Sequence, residues 1–174
     1  IEDGPLGLSL GFEPAEKDVM RRQPDNPKSF LLTGQMKALI FIIGLVTDLL
    51  LLGLFFWLVK TSAYEISHIR SIIFAALAID SIFYIFSCRS LNKNLWQINP
   101  FSNKFLIAAW ALAVAMLLAA IYFPPLQTIL RLEPLNFFDW QLILGLGALN
   151  IALIELTKYF FIRRTKLQNS GMIK

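Results

Sequence analysis

The sequence predicts an all-α membrane protein, a polytopic transmembrane helix bundle with four complete spans and the end of a fifth helix. The chain is 56% hydrophobic and only 16% charged, and its mean hydropathy is +0.61. A soluble domain would contain about 25% charged residues. Four apolar stretches have the length of about 20 residues that a helix needs to cross a bilayer. The single cysteine excludes an internal disulfide and argues against a disulfide-stabilised secreted fold.

Residues 1–10 are expected to be the cytoplasmic end of a truncated, ion-binding transmembrane helix. Glu2 and Asp3 directly precede Gly4 and Pro5. Proline lacks a backbone donor and glycine tolerates non-helical angles, so this pair predicts a local opening of the helix. An opened helix beside a carboxylate offers side-chain and carbonyl oxygens to a hard cation. Because the chain begins inside this helix, we expect it to be the C-terminal piece of a longer protein.

The remaining chain divides into a loop, four spans and a tail. Residues 11–37 are basic and punctuated by prolines, so they are predicted to be a cytoplasmic loop, and residues 163–174 a cytoplasmic tail. The domain between them, residues 38–162, is predicted to be a four-helix transmembrane domain. Its spans are expected at about 38–59, 71–88, 105–123 and 140–162. Tryptophans anchor the end of the first span and the start of the fourth at the interface.

The connections between the spans differ in polarity. The connection at 60–70 contains His68, which is expected to be a solvated loop residue. Arg131, Glu133 and several apolar side chains occupy the connection at 124–139, which is expected to lie at the membrane interface.

Basic residues predict the orientation of the bundle. Twelve of the sixteen lysines and arginines lie in three segments on one side, residues 11–37, 89–104 and 163–174. The two connections on the other side contain three. Cytoplasmic loops carry the excess of Lys and Arg, so the opening loop and the tail are predicted to be cytoplasmic.

Acidic residues inside the predicted spans are the candidates for function. A carboxylate at mid-bilayer costs about 2.5–3.5 kcal/mol, and such residues face protein, water or an ion. Both helix packing and ion binding fit a single acid in a span. No basic residue lies at matching depth, which favours a cation or proton role for Asp3 and Asp80. For Asp48 a structural or helix-packing role is favoured. Glu155 and Lys158, spaced i and i+3, are predicted to form a structural pair.

The segment DGPLGLSLGFEPAEKDVM, followed by RRQPDNPKSFLLTG, resembles the junction between the sixth and seventh transmembrane helices of P-type cation-transporting ATPases, most closely the calcium-pump branch. Asp80 and the SCRSL segment are similar to the eighth helix and the loop beyond it. Glu155 and Lys158 are similar to the acidic-x-x-Lys ending of the tenth helix. The resemblance implies that the four spans are helices seven to ten and that residues 1–10 end helix six.

The resemblance also implies a function and a set of metal ligands. Asp3 and Asp80 match positions that coordinate the transported cation, with calcium as the leading ion. Glu2 departs from the Thr or Met of many calcium pumps, and it could add a ligand, carry a proton or alter ion choice. The expected partners are the lipid bilayer and the pump's N-terminal domains, and no nucleic acid. The chain is expected in a bacterial plasma membrane or an internal membrane.

These residues contain no phosphorylation motif, phosphate loop, Ser-His-Asp set or zinc spacing. ATP and Mg²⁺ would therefore act only through domains outside this chain, and no catalytic residue is predicted within it. The alternative hypothesis is a non-enzymatic multi-span membrane protein, a scaffold or a small ion- or proton-conducting bundle.

Overall fold

The computed structural model describes residues 3–13, 34–89 and 101–169. Within these ranges the chain forms six helices and no strand. They are α1 (Asp3–Leu10), α2 (Gly34–Thr61), α3 (Ile66–Cys88), α4 (Lys104–Tyr122), α5 (Pro124–Leu130) and α6 (Phe137–Asn169). Four of them are long and apolar enough to cross a membrane, which confirms the all-α class and the four spans.

The described helices differ from the predicted spans at their ends. Helix α3 begins at Ile66 rather than near residue 71, so the connection from α2 shrinks to residues 62–65. The polar residues at 67, 68 and 70 suggested a loop, but Ile69 between them is buried in the core and the backbone is helical. The prediction of a solvated loop for His68 was therefore wrong, because it lies on α3 and is 9% exposed.

Helix α1 runs through Gly4 and Pro5 without interruption. In a helix, the N–H that Pro5 lacks would donate to the carbonyl of residue 1, which lies outside the described residues. The helix ends at Leu10, after which the N–H of Gly11 donates to the carbonyl of Leu8 at 3.0 Å. The predicted opening is therefore not found at Gly4 and Pro5. Residues 1 and 2, where it would begin, lie outside the described residues.

Helix α3 lies at the centre of the described bundle and contacts α1, α2, α4 and α6. Half of its apolar window is buried, against 22% to 28% for the other three spans. Small and β-branched side chains fill its inner face, so neighbouring helices approach it closely. The buried members include Ile72, Ala75, Ala76, Ile79 and Ile82.

Helices α3 and α6 form a parallel pair in register. Three hydrogen-bonded pairs join them, His68–Asp139, Asp80–Asn150 and Ser87–Lys158, with sequence separations of 71, 70 and 71. Separations this uniform mean that the two helices advance together along the bundle axis. The crossover through α4 and α5 returns the chain to the level at which α3 began.

Gly147 sets the spacing within this pair. A Cβ atom on Gly147 would lie 3.1 Å from Cγ2 of Ile79 and 3.1 Å from Cδ2 of Phe83. These distances are shorter than ordinary carbon contacts, so an alanine would require the side chains of Ile79 and Phe83 to move by a few tenths of an ångström. Small residues at transmembrane interfaces allow backbones to approach in this way.

A buried arginine joins the ends of α1, α3 and α4. Arg89, which is 9% exposed, follows α3 and donates to the carboxylate of Glu13 at 2.5 Å and 3.0 Å. Asn103 caps α4 by accepting from the N–H of Leu106, and its amide donates to the carbonyl of Ser9. The end of α1 is therefore fixed to both neighbouring helices by hydrogen bonds from buried groups.

The last of the three α3–α6 pairs includes a buried lysine. Lys158 is 1% exposed, and its Nζ donates to Oε1 of Glu155 and to the carbonyl of Ser87, both at 3.0 Å. Glu155 is 4% exposed. This contact confirms the structural pair that the i, i+3 spacing predicted.

Replacing Lys158 with Met is expected to lower the free energy of unfolding by about 3–5 kcal/mol, because the buried carboxylate of Glu155 would lose the ammonium group that lies 3.0 Å from it. The measurement is thermal and denaturant unfolding of the detergent-solubilised full-length protein. The matched control is the Glu155→Leu, Lys158→Met double variant, which removes both charges and is expected to be more stable than Lys158→Met alone. A double variant less stable than the single one would contradict a charge-compensation role.

Candidate cation site in the membrane

The two predicted helical ligands, Asp3 and Asp80, lie on helices that touch. Asp3 is the first residue of α1, and α1 packs against α3 and α4. Leu6, one turn further along α1, is 1% exposed and belongs to the central core. The side chain of Asp3 and the whole of Glu2 lie outside the described part of the chain. The structure therefore gives the helix contact but not the position of these carboxylates.

Asp80 lies in the middle of α3 and is only partly buried. The side-chain amide of Asn150, on α6, donates to its Oδ1 atom. Asn150 is 2% exposed, and it lies one turn beyond Gly147 on α6. The close approach of the two helices at Gly147 therefore brings the amide within reach of the carboxylate.

Thr47 on α2 completes this group. Its Oγ1 lies 2.9 Å from Nδ2 and 3.3 Å from Oδ1 of Asn150. We call Thr47, Asp80 and Asn150 the mid-membrane triad, because three different spans each contribute one polar side chain. A cavity of about 10 Å³ beside it is lined by the triad and by apolar residues of the same helices. A space of this volume accommodates about one water molecule.

The sequence analysis did not consider Thr47 or Asn150. The signal for Asn150 was present, because an amide within an apolar span has no water to bond and must find a protein partner. The partner itself could not be read from the sequence, since it depends on the register between α3 and α6.

Asp48 lies next to Thr47 but makes no hydrogen bond to the triad among the described residues. Its side chain is exposed, and in the described residues it makes no hydrogen bond or ion pair. The prediction of a helix-packing role is therefore not met within the described bundle.

The chemistry of the triad suits a hard cation but does not complete its coordination. Ca²⁺ takes six to eight oxygen ligands. Asp80, Asn150 and Thr47 together have four side-chain oxygens, and some of these already bond one another. Among the described residues no group of three or more His, Cys, Asp or Glu side chains converges as a metal site. A cation bound at Asp80 would need further oxygens from other segments.

A second polar group lies at the opposite end of α3 from Arg89. The ring of His68 lies between two carboxylates, with Nε2 2.9 Å from Oδ2 of Asp139 and Nδ1 3.2 Å from Oε2 of Glu133. Asp139 is 2% exposed and also accepts from the N–H of Asn136. The negative charge of Asp139, followed by burial, raises the pKa of Tyr64, whose ring contacts that of His68 with centroids 4.6 Å apart and planes tilted by 45°.

The two carboxylates approach opposite ring nitrogens, so they do not converge on one point as metal ligands would. The two contacts of His68 instead join α3 to the start of α6, through Asp139, and to the segment before it, through Glu133. This group was not predicted from the sequence, because Glu133 and Asp139 follow His68 by 65 and 71 residues.

Comparison with known proteins supports the resemblance noted in the sequence. Residues 1–160 match the family model described as cation transporting ATPase, C-terminus. The calcium-transporting ATPase of Bacillus subtilis is 29% identical over 153 residues, covering 86% of this chain and 17% of the relative. Human calcium-transporting ATPase type 2C member 1 is 32% identical over 170 residues, covering 97% and 18%.

A third relative has a less specific name. The probable cation-transporting ATPase F of Mycobacterium tuberculosis is 28% identical over 135 residues, covering 78% of this chain and 15% of the relative. The chain therefore spans less than a fifth of the length of each of these proteins. With a family match over residues 1–160, this chain belongs to the C-terminal membrane region of the P-type cation-transporting ATPases.

Proposed function

We propose that this chain is the C-terminal membrane domain of an ATP-driven cation pump and that it supplies Asp3, Asp80 and Glu2 to the transported ion, with Ca²⁺ as that ion. The observation that supports this most directly is the position of Asp80. It lies mid-membrane, is partly exposed, and is fixed by Asn150 without a basic partner among the described residues. Relatives named as calcium-transporting ATPases support the choice of ion.

The packing of α1 supports a shared site for Asp3 and Asp80. The two acids belong to helices in contact, and Leu6 holds α1 in the core of the bundle. The triad supplies fewer oxygens than Ca²⁺ needs, so Asp3 and Glu2 on the neighbouring chain segment are proposed as further ligands. The other ligands would come from segments of the pump outside this chain.

The proposed mechanism couples ATP to the site through α1. ATP and Mg²⁺ act in domains outside this chain, and phosphorylation there moves α1 relative to α3. Such a movement must rearrange the contacts of Arg89 with Glu13 and of Asn103 with Ser9, because they fix the end of α1 to α3 and α4. A shift of α1 changes the distance between Asp3 and Asp80 and therefore the geometry around the ion.

The orientation completes the proposal. The loop at 11–37 and the tail at 163–174 face the cytoplasm, as the distribution of lysine and arginine favours. The pump's N-terminal domains then lie on the same side as the end of α1. The alternative of an independent scaffold bundle has no observation in its favour, whereas the family match favours a pump.

Replacing Asp3 with Asn in the full-length pump is expected to raise the Ca²⁺ concentration for half-maximal phosphorylation from ATP by at least about tenfold, because a charged oxygen ligand is lost. The matched control is Glu65→Gln, which removes an exposed carboxylate at the start of α3 that makes no side-chain cap hydrogen bond. It is expected to change this concentration by less than about twofold. Wild-type Ca²⁺ dependence in the Asp3 variant would contradict its assignment as a ligand.

Glu2→Gln tests ion choice. If Glu2 is a charged ligand, its loss weakens binding of divalent ions more than monovalent ions, because the attraction scales with the charge of the ion. Phosphorylation measured over a panel of divalent and monovalent cations should therefore show a lower ratio of divalent to monovalent affinity. An unchanged ratio would exclude Glu2 from the ligand set while leaving Asp3 and Asp80 in it.

A further inference from the structure

The mid-membrane triad contains a side chain whose position is more constrained than that of Asp80 itself. Asn150 is 2% exposed, and it is held between a hydroxyl on α2 and a carboxylate on α3. A side-chain amide has two N–H donors. Here one faces Oδ1 of Asp80 and the other faces Oγ1 of Thr47 at 2.9 Å. Both donors of Asn150 are therefore used.

The orientation of the amide follows from its neighbours. A carboxylate only accepts hydrogen bonds when it is ionised, so the nitrogen of Asn150, not its oxygen, must face Asp80. The hydroxyl of Thr47 lies 2.9 Å from Nδ2 and 3.3 Å from Oδ1 of Asn150, and because a hydroxyl both donates and accepts, it holds the amide in place while Asp80 sets the orientation. Thr47 thus fixes Asn150, and Asn150 fixes one oxygen of Asp80.

The space around the triad shows where a cation could approach. The cavity between α2, α3 and α6 has a volume of about 10 Å³, enough for about one water molecule. A hydrated ion cannot enter there. In the described residues the second oxygen of Asp80, Oδ2, makes no hydrogen bond, and the side chain is partly exposed. The carboxylate is therefore held from the side of α6 and has an oxygen available on its other side.

We propose that Asn150, oriented by Thr47, is a positioning residue that presents the carboxylate of Asp80 to the transported cation. Asn150 does not contact the ion in this account. It keeps Asp80 in one rotamer by donating a hydrogen bond to Oδ1, which lowers the reorganisation that ion binding requires. This inference rests on the proposed ligand role of Asp80.

The test is a double-mutant cycle in the full-length pump, with Ca²⁺-dependent phosphorylation from ATP as the readout. Asn150→Leu preserves the approximate volume but removes the donor, and it should raise the Ca²⁺ concentration for half-maximal phosphorylation about tenfold. Thr47→Val should raise it about threefold, because it only loosens the amide. In an Asp80→Asn background, Asn150→Leu should add less than about twofold, since the charge that it positions is gone.

Thr157→Val is the matched control. The hydroxyl of Thr157 is on the same helix, but it donates to the carbonyl of Leu153 within α6 at 2.8 Å. This variant should leave the Ca²⁺ dependence within about twofold of the wild type. The level of phosphorylation at saturating Ca²⁺ distinguishes a positioning defect from a folding defect. A destabilised protein loses part of that maximal level. A positioning defect changes only the Ca²⁺ concentration for half-maximal phosphorylation.

The outcomes distinguish this inference from the proposed function. Wild-type Ca²⁺ dependence in Asp80→Asn would overturn the ligand role of Asp80 and the inference with it. A defect in Asp80→Asn together with wild-type dependence in Asn150→Leu would overturn the positioning role alone. Additive effects of Asn150→Leu and Asp80→Asn would do the same. A loss of maximal phosphorylation without a shift in half-saturation would make Asn150 a residue of the fold only.

Discussion

The close approach of α3 and α6 at Gly147 is the constraint on which the described bundle depends. The absent side chain lets Ile79 and Phe83 pack directly against the backbone of α6. With the two helices parallel and in register, one contact at mid-membrane aligns polar groups along the whole pair. His68 then meets Asp139 at one end, Asp80 meets Asn150 in the middle, and Lys158 meets Ser87 at the other end.

The polar contacts explain why an apolar bundle has a defined register. Between transmembrane helices there is little hydrophobic driving force, because lipid is as apolar as leucine. Leu and Ile side chains alone would tolerate sliding by one turn. A slide of this kind would separate Asn150 from Asp80 and Lys158 from the carbonyl of Ser87, in a region where no water replaces these partners. These side chains therefore select one alignment of α3 and α6.

The sequence predicted most of the architecture because its signals are local. Apolar stretches of sufficient length gave the four spans, and the i, i+3 spacing gave the pair formed by Glu155 and Lys158. The start of α3 was predicted near residue 71 instead of Ile66, because His68 is a polar residue of the kind found in loops and its partners could not be seen in the sequence. Those partners, Glu133 and Asp139, are 65 and 71 residues away.

The candidate site was predictable only in part, for the same reason. Asp80 was identified by its isolated charge within an apolar stretch, a property of α3 alone. Its contact with Asn150 depends on how α3 and α6 align, and the role of Thr47 depends on a third helix. Neither can be read from spacing along one helix. Asp48, of the same residue type and in an equally apolar span, is exposed and makes no hydrogen bond among the described residues.

We propose that a transported cation binds to carboxylates of this chain, and an experimental structure of the full-length pump in saturating Ca²⁺ would test this directly. We expect an ion with oxygens of both Asp3 and Asp80 at about 2.3–2.6 Å, the usual distance for calcium ligands. An ion coordinated entirely by residues outside this chain, with both carboxylates turned away from it, would rule out these two ligands.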